Sequence, residues 1–253
     1  MMVQGPDRLR DRPGAWVDLG LTLPIFLVYH LAVVFLGVQN ATDLVTGVLL
    51  SLSAGDRTKY LLATLAIGVI FAGTFALLGR GQAFRPTKFF QIAVEGVVYA
   101  FVMALTANLV VGSIFAGSAV SLRDGGPFVG FVMSLGAGFY EELTFRVVLF
   151  GLGAKVLVWL FGHQRMVLAG TNGTVASGFS LRSLAIMLGW AIACAVVFSG
   201  VHYIGPMADG FQLISFTFRA VLGLLLTLIF ATRGFAAAVW THAIYDVWVL
   251  VLR

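Results

Sequence analysis

The chain has 253 residues, 60% of them hydrophobic and 11% charged, with a net charge of +5 and a mean hydropathy of +0.99. A soluble domain carries about a quarter charged residues, so this composition excludes a water-soluble globule and describes an integral membrane protein. The basic residues sit in short connections, as topology determinants do, and form no contiguous basic face for nucleic acid.

In chain order, Arg8, Arg10 and Arg12 precede a first apolar span over 16–38, with Pro24 in its first half as a kink point. This run is as long as a full crossing, so it reads as a retained helix rather than a cleaved signal peptide. Residues 44–52 read as a short interfacial helix. A second span over 59–79 ends at a loop with Arg80, Arg85 and Lys88, and a third covers 89–112. A turn-rich connection follows, then a fourth span from about 128. Three further spans cover 184–203, 211–231 and 235–252, and the segment 151–168 is apolar enough to add one more. Between them, 163–182 is a polar loop, and its Asn172–Gly173–Thr174 triplet carries little weight as a glycosylation signal. The expected fold is all-α, a polytopic bundle of seven or eight membrane helices around a polar cavity, formed by one integral membrane domain over 1–253. The basic loops predict a cytoplasmic N-terminus.

Charged residues inside spans are costly, about 2.5–3.5 kcal/mol each on the insertion scale. Three clusters defy that cost: Glu141, Glu142 and Arg146; Phe198 and His202; His242 and Asp246. Glu142 and Arg146 are i, i+4 and pair on one helix face. Glu141 points about 100° away from Glu142 on an α-helix and lacks that partner. His242 and Asp246 are also i, i+4, so the carboxylate can fix the imidazole tautomer. Phe198 shares a face with His202. A spare carboxylate and two histidines form a hydrolytic set: the carboxylate takes a proton from water, one histidine holds that water, and the other stabilises an oxyanion. Glu141, His202 and His242 are equally a donor set of the kind zinc takes. A metal-free route is the preferred expectation, since no H-E-x-x-H helix is present.

The order E-E-x-x-x-R at 141–146, F-x-x-x-H at 198–202 and H-x-x-x-D at 242–246 resembles the CPBP family of intramembrane proteases. That family comprises CAAX proteases and bacteriocin-processing enzymes. The resemblance implies a multi-helix membrane peptidase acting on a membrane-associated protein or peptide, with no nucleic-acid partner. It implies that Glu141 and His202 activate water, that His242 and Asp246 stabilise the oxyanion, and that Glu142 and Arg146 support them. The family's third motif ends in Asn or Asp. An ionised Asp246 cannot donate a hydrogen bond, so Asp246 is expected either to orient His242 or to be protonated. The family and the short loops also point to a bacterial inner membrane.

Other readings stand beside this one. A C-terminal sorting or transpeptidase-type enzyme needs a covalent intermediate, yet the single thiol, Cys194, lies about 12 Å from His202 along the helix and reads as a packing residue. A non-catalytic scaffold and a proton-coupled transporter are the remaining classes. His30 is expected to bond a neighbour, Glu95 and Arg219 to snorkel or be paired rather than contact a substrate or line a cavity, Asn108 to bond between helices, and His163 to lie on the surface. Trp16, Trp159 and Trp248 are expected in interfacial belts.

Overall fold

The computed structural model describes residues 15–37, 39–78, 87–115, 126–162, 180–205 and 208–252. Arg8, Arg10, Arg12, Arg80, Arg85, His163, the 172–174 triplet, the Trp16 side chain and nearly all of the 163–182 loop lie outside them. The described residues are helical, with no strand among them: α1 (Ala15–Leu21), α2 (Leu23–Val33), α3 (Leu44–Leu52), α4 (Arg57–Leu78), α5 (Thr87–Ile114), α6 (Pro127–Gly136), a π-helical stretch (Ala137–Leu152), α7 (Gly153–Gly162), α8 (Leu181–Val201), α9 (Leu213–Arg233) and α10 (Phe235–Val251).

Four helical units are long and apolar enough to cross a membrane among these residues: Thr87–Ile114, Pro127–Gly162, Leu181–Val201 and Leu213–Arg233. Leu23–Val33 and Phe235–Val251 are apolar but shorter. By that measure the expected seven or eight crossings are not confirmed among the described residues, and two of the expected spans take a different form. The predicted first span is broken, because Pro24 has no N–H to offer the preceding turn; the chain bends at Thr22, whose hydroxyl donates to the Leu19 carbonyl at 2.7 Å. And 151–162 is not a separate crossing, because α6, the π stretch and α7 form one continuous unit of 36 residues.

The bundle inverts the pattern of a soluble protein. On α5 the buried face is Ile92, Gly96, Ala100, Met103, Ala107 and Val111, a largely small stripe at helical spacing. Val98, Phe101, Leu105 and Leu109 point outward and are half exposed or more. Small residues let helices approach closely, while lipid accepts the large apolar ones.

α10 is the hub, packed against α5, α6, the π stretch, α9 and α1. Ala236, Ala237 and Ala238 are fully buried on it. At Gly138 the π stretch touches α10 so closely that an added Cβ would lie 2.7 Å from the Ala243 Cβ and 2.9 Å from the Val239 carbonyl oxygen. This contact sits one turn from Glu141 and sets how near the two site-bearing helices come.

The start of α10 is held by a residue the motifs do not contain. Gly234 adopts φ +99, which favours glycine, and the Asp18 carboxylate accepts from Phe235 N at 2.5 Å and Ala236 N at 3.1 Å. These are the orphan donors of a helix N-terminus, and a carboxylate there is also favoured by the helix dipole. Asp18→Ala is expected to lower stability by about 1–2 kcal/mol, read as an earlier thermal unfolding of the purified protein in detergent. An unchanged midpoint would show that the cap is dispensable.

The sequence expectations for single residues divide. His30 is fully buried and bonds two hydroxyls, Tyr60 at 2.9 Å and Tyr140 at 2.5 Å. Glu95 pairs with Arg233 at 2.7 Å, and Arg219 with Asp209 at 2.5 Å. Cys194 is buried against Phe150, Ala154 and Val158. Asn108 departs from expectation: its amide donates to Ala104 O of its own helix at 2.7 Å, and the residue lines a cavity. Trp159 is exposed near the end of α7, as a belt residue would be. Trp248 packs beside Tyr245 and Leu222 and forms part of the cavity wall.

Candidate active site

Glu141 and Glu142 project from the middle of the π stretch. Glu142 is fully buried and Arg146 is 1% exposed, with Nη1 3.0 Å from Glu142 Oε1. The i, i+4 pairing read from the sequence is therefore present. The Arg146 guanidinium also lies 4.3 Å from the centre of the Phe198 ring, a cation–π contact in a desolvated setting. Its Nη2 reaches the Gly223 carbonyl at 3.4 Å.

His242 is held differently from its expected arrangement. Its Nδ1 lies 2.7 Å from Glu142 Oε1, whereas Nε2 lies 3.5 Å from Asp246 Oδ2. Glu142 Oε1 also faces the Arg146 guanidinium and so acts as an acceptor, which means that Nδ1 carries a proton and donates to it. The ring is oriented mainly by Glu142 on a neighbouring helix, not by Asp246. Linear spacing cannot show this, because the close approach of the π stretch to α10 creates it. Glu142 thus has two partners, Arg146 and His242.

His202 stands just past the last turn of α8. Its Nδ1 donates to the Phe198 carbonyl at 2.8 Å, satisfying one of the orphan carbonyls of the helix end. Nε2 is left as an acceptor, and it faces Glu141 Oε2 at 3.9 Å. The Phe198 ring stacks edge-on against His202 at 5.1 Å and against His242 at 6.1 Å, so one aromatic plate separates the two imidazoles.

Glu141 does not share Arg146. Its Oε1 accepts from the Asn40 amide at 2.8 Å, and Oε2 has no hydrogen-bond partner. Asn40 was invisible to motif reading, for it lies in a loop about a hundred residues away in sequence.

Glu141, Phe198, His202, His242 and Asp246 all line one cavity of about 450 Å³ bounded by α5, the π stretch, α8, α9 and α10, whose wall also holds Arg219. Glu142 and Arg146 lie behind it. A larger apolar groove of about 610 Å³ between α2, α5, α6 and α10 contains none of the motif residues. Among the described residues, no three His, Cys, Asp or Glu side chains converge as a metal site requires. The Glu141, His202 and His242 set is spread, with His242 turned to two carboxylates, so it does not fit a zinc ion in this arrangement.

Neither a curated protein nor a solved structure matches the chain. Residues 124–248 match the family described as type II CAAX prenyl endopeptidase Rce1-like. That segment begins before α6, ends inside α10 and contains all three motifs, and it is what makes the chain similar to the Rce1-like family of CAAX proteases.

Proposed function

We propose that the protein is an intramembrane endopeptidase that hydrolyses a peptide bond of a membrane-associated protein or peptide, with water activated between Glu141 and His202. The observation that carries this reading is the pair of facing acceptors. Glu141 Oε2 has no hydrogen-bond partner, and His202 Nε2, its proton placed on the other ring nitrogen, stands 3.9 Å away. Two acceptors this close are both satisfied by one donor held beside them, and water is such a donor.

In the proposed reaction Glu141 takes a proton from that water while His202 orients it, and the oxygen attacks the scissile carbonyl. His242, carrying a proton on each ring nitrogen, donates from Nε2 to the carbonyl oxygen as charge develops there, while Asp246 orients the ring. The proton held by Glu141 then passes to the leaving amine. Glu142 and Arg146 keep His242 in place. Phe198 keeps the imidazoles apart and supplies an apolar wall, which strengthens electrostatic interactions in the cavity.

Within this proposal the chain forms one membrane domain in a bacterial inner membrane with its N-terminus in the cytoplasm. α2, α4 and α10 complete the bundle beside the four long units. A thiol-based transpeptidase is disfavoured by the packing of Cys194 among apolar side chains away from the cavity wall.

The reading is tested by comparing protein termini, by mass spectrometry, between cells with the wild-type protein and cells with Glu141→Gln at equal abundance. A terminus found only with the wild type is expected, and it identifies the substrate and cut site together. Identical termini, with purified wild type and variant also equally inactive on membrane peptides, would move the protein to the scaffold or transporter class.

A further inference from the structure

The family segment begins at residue 124, yet one side chain touching Glu141 comes from the other half of the chain. We propose that Asn40 is a positioning residue of the active site: its amide N–H holds Glu141 Oε1 so that Oε2 faces His202. This inference rests on the hydrolytic reading of Glu141.

The geometry is specific. Asn40 Nδ2 donates to Glu141 Oε1 at 2.8 Å. Its other end is committed, because Oδ1 accepts from Thr42 N at 2.9 Å and Thr42 Oγ1 at 2.6 Å. Those two donors leave the amide one orientation, with nitrogen toward the glutamate. The Asn40 backbone is anchored as well. Its N–H donates to the Tyr29 hydroxyl at 3.2 Å, and that hydroxyl donates to Asp43 Oδ2 at 2.7 Å. Asp43 in turn caps α3 through Thr46 N at 3.0 Å. Tyr29 and Asp43 are fully buried, and Asn40 is 6% exposed. A loop is a soft place for a site residue, and here a buried network makes it rigid.

The chemical consequence concerns which oxygen works. A carboxylate with one oxygen tied by a neutral donor keeps a single rotamer and presents the other oxygen to the reaction. A neutral amide does this without neutralising the charge, as Lys or Arg in the same place would. Near-attack geometry is sensitive at this scale: a misplacement of about 1 Å costs on the order of 100-fold in rate.

Asn40→Asp separates positioning from mere loop structure. Asp retains Oδ1, so the turn to Thr42 survives, but it has no amide N–H for Glu141 and, when ionised, sets a like charge beside it. The full-length protein in liposomes is assayed on a synthetic peptide spanning the cut site found by the terminus comparison. The expected result is a kcat lowered by about 100-fold, with KM within about threefold and the thermal midpoint near that of wild type. Asn40→Gln, which keeps the amide on a longer arm, is expected to recover part of the loss; no recovery would count against the donor as the reason. Wild-type kcat in Asn40→Asp, with Glu141→Gln inactive, overturns this inference and leaves the protease reading intact. Equal turnover of wild type and Glu141→Gln overturns both.

Discussion

Glu141→Gln is expected to fold as the wild type does and to lose cleavage by about 10²–10⁴-fold, the usual contribution of a positioned general base. The amide has the same shape and keeps a carbonyl oxygen where Oε1 accepts from Asn40, so the bond that orients the side chain persists. What disappears is the capacity of the second oxygen to take a proton from water. The effect should therefore fall on kcat, with KM and thermal unfolding little changed. Turnover near that of the wild type would mean that the reacting water is held elsewhere in the cavity. A large fall in the unfolding midpoint would instead make Glu141 a structural acceptor.

Glu142→Ala should act in the opposite way, through stability first. It removes the carboxylate shared by Arg146 at 3.0 Å and His242 at 2.7 Å, in a place where the arginine is 1% exposed. Breaking a buried pair by removing one partner costs about 3–5 kcal/mol, since a charge is left behind without compensation. The measurement is the unfolding midpoint of purified protein, together with its yield in membranes. The double variant Glu142→Ala, Arg146→Met removes the stranded charge and is expected to regain much of the stability. It should not regain activity, because the His242 Nδ1 still lacks its acceptor. Return of full activity in the double variant would show that Glu142 does not hold the histidine.

Together the two variants test a division of labour between adjacent glutamates. Both come from the same turn of the π stretch, a geometry frequent at functional sites. One faces the cavity and a loop amide; the other turns inward to an arginine and a histidine. Burial separates them, since Glu142 is fully buried while the Glu141 side chain is 12% exposed beside His202.

Much of this was legible in the sequence, because its causes are local or compositional. Hydropathy alone places the chain in a membrane, since lipid tolerates large apolar side chains on the outside. The cost of charges in lipid singles out Glu141, Glu142, Arg146, His202, His242 and Asp246 without any structure. The Glu142–Arg146 pair is legible because i, i+4 neighbours meet on any helix of nearly this pitch. The short helix over 44–52 and the weak point at Pro24 are equally local.

What tertiary structure decided involves residues far apart in the chain, for which spacing carries no information. Gly138 and the alanines of α10 let two helices approach until Glu142 replaced Asp246 as the nearer partner of His242. The fold brought Asn40 to Glu141 across 101 positions and Asp18 to the start of α10 across 217. It also joined 127–162 into one helical unit, where composition alone allowed a separate crossing at 151–168. Periodicity reports which face of a helix is buried, but only packing selects the neighbour that buries it.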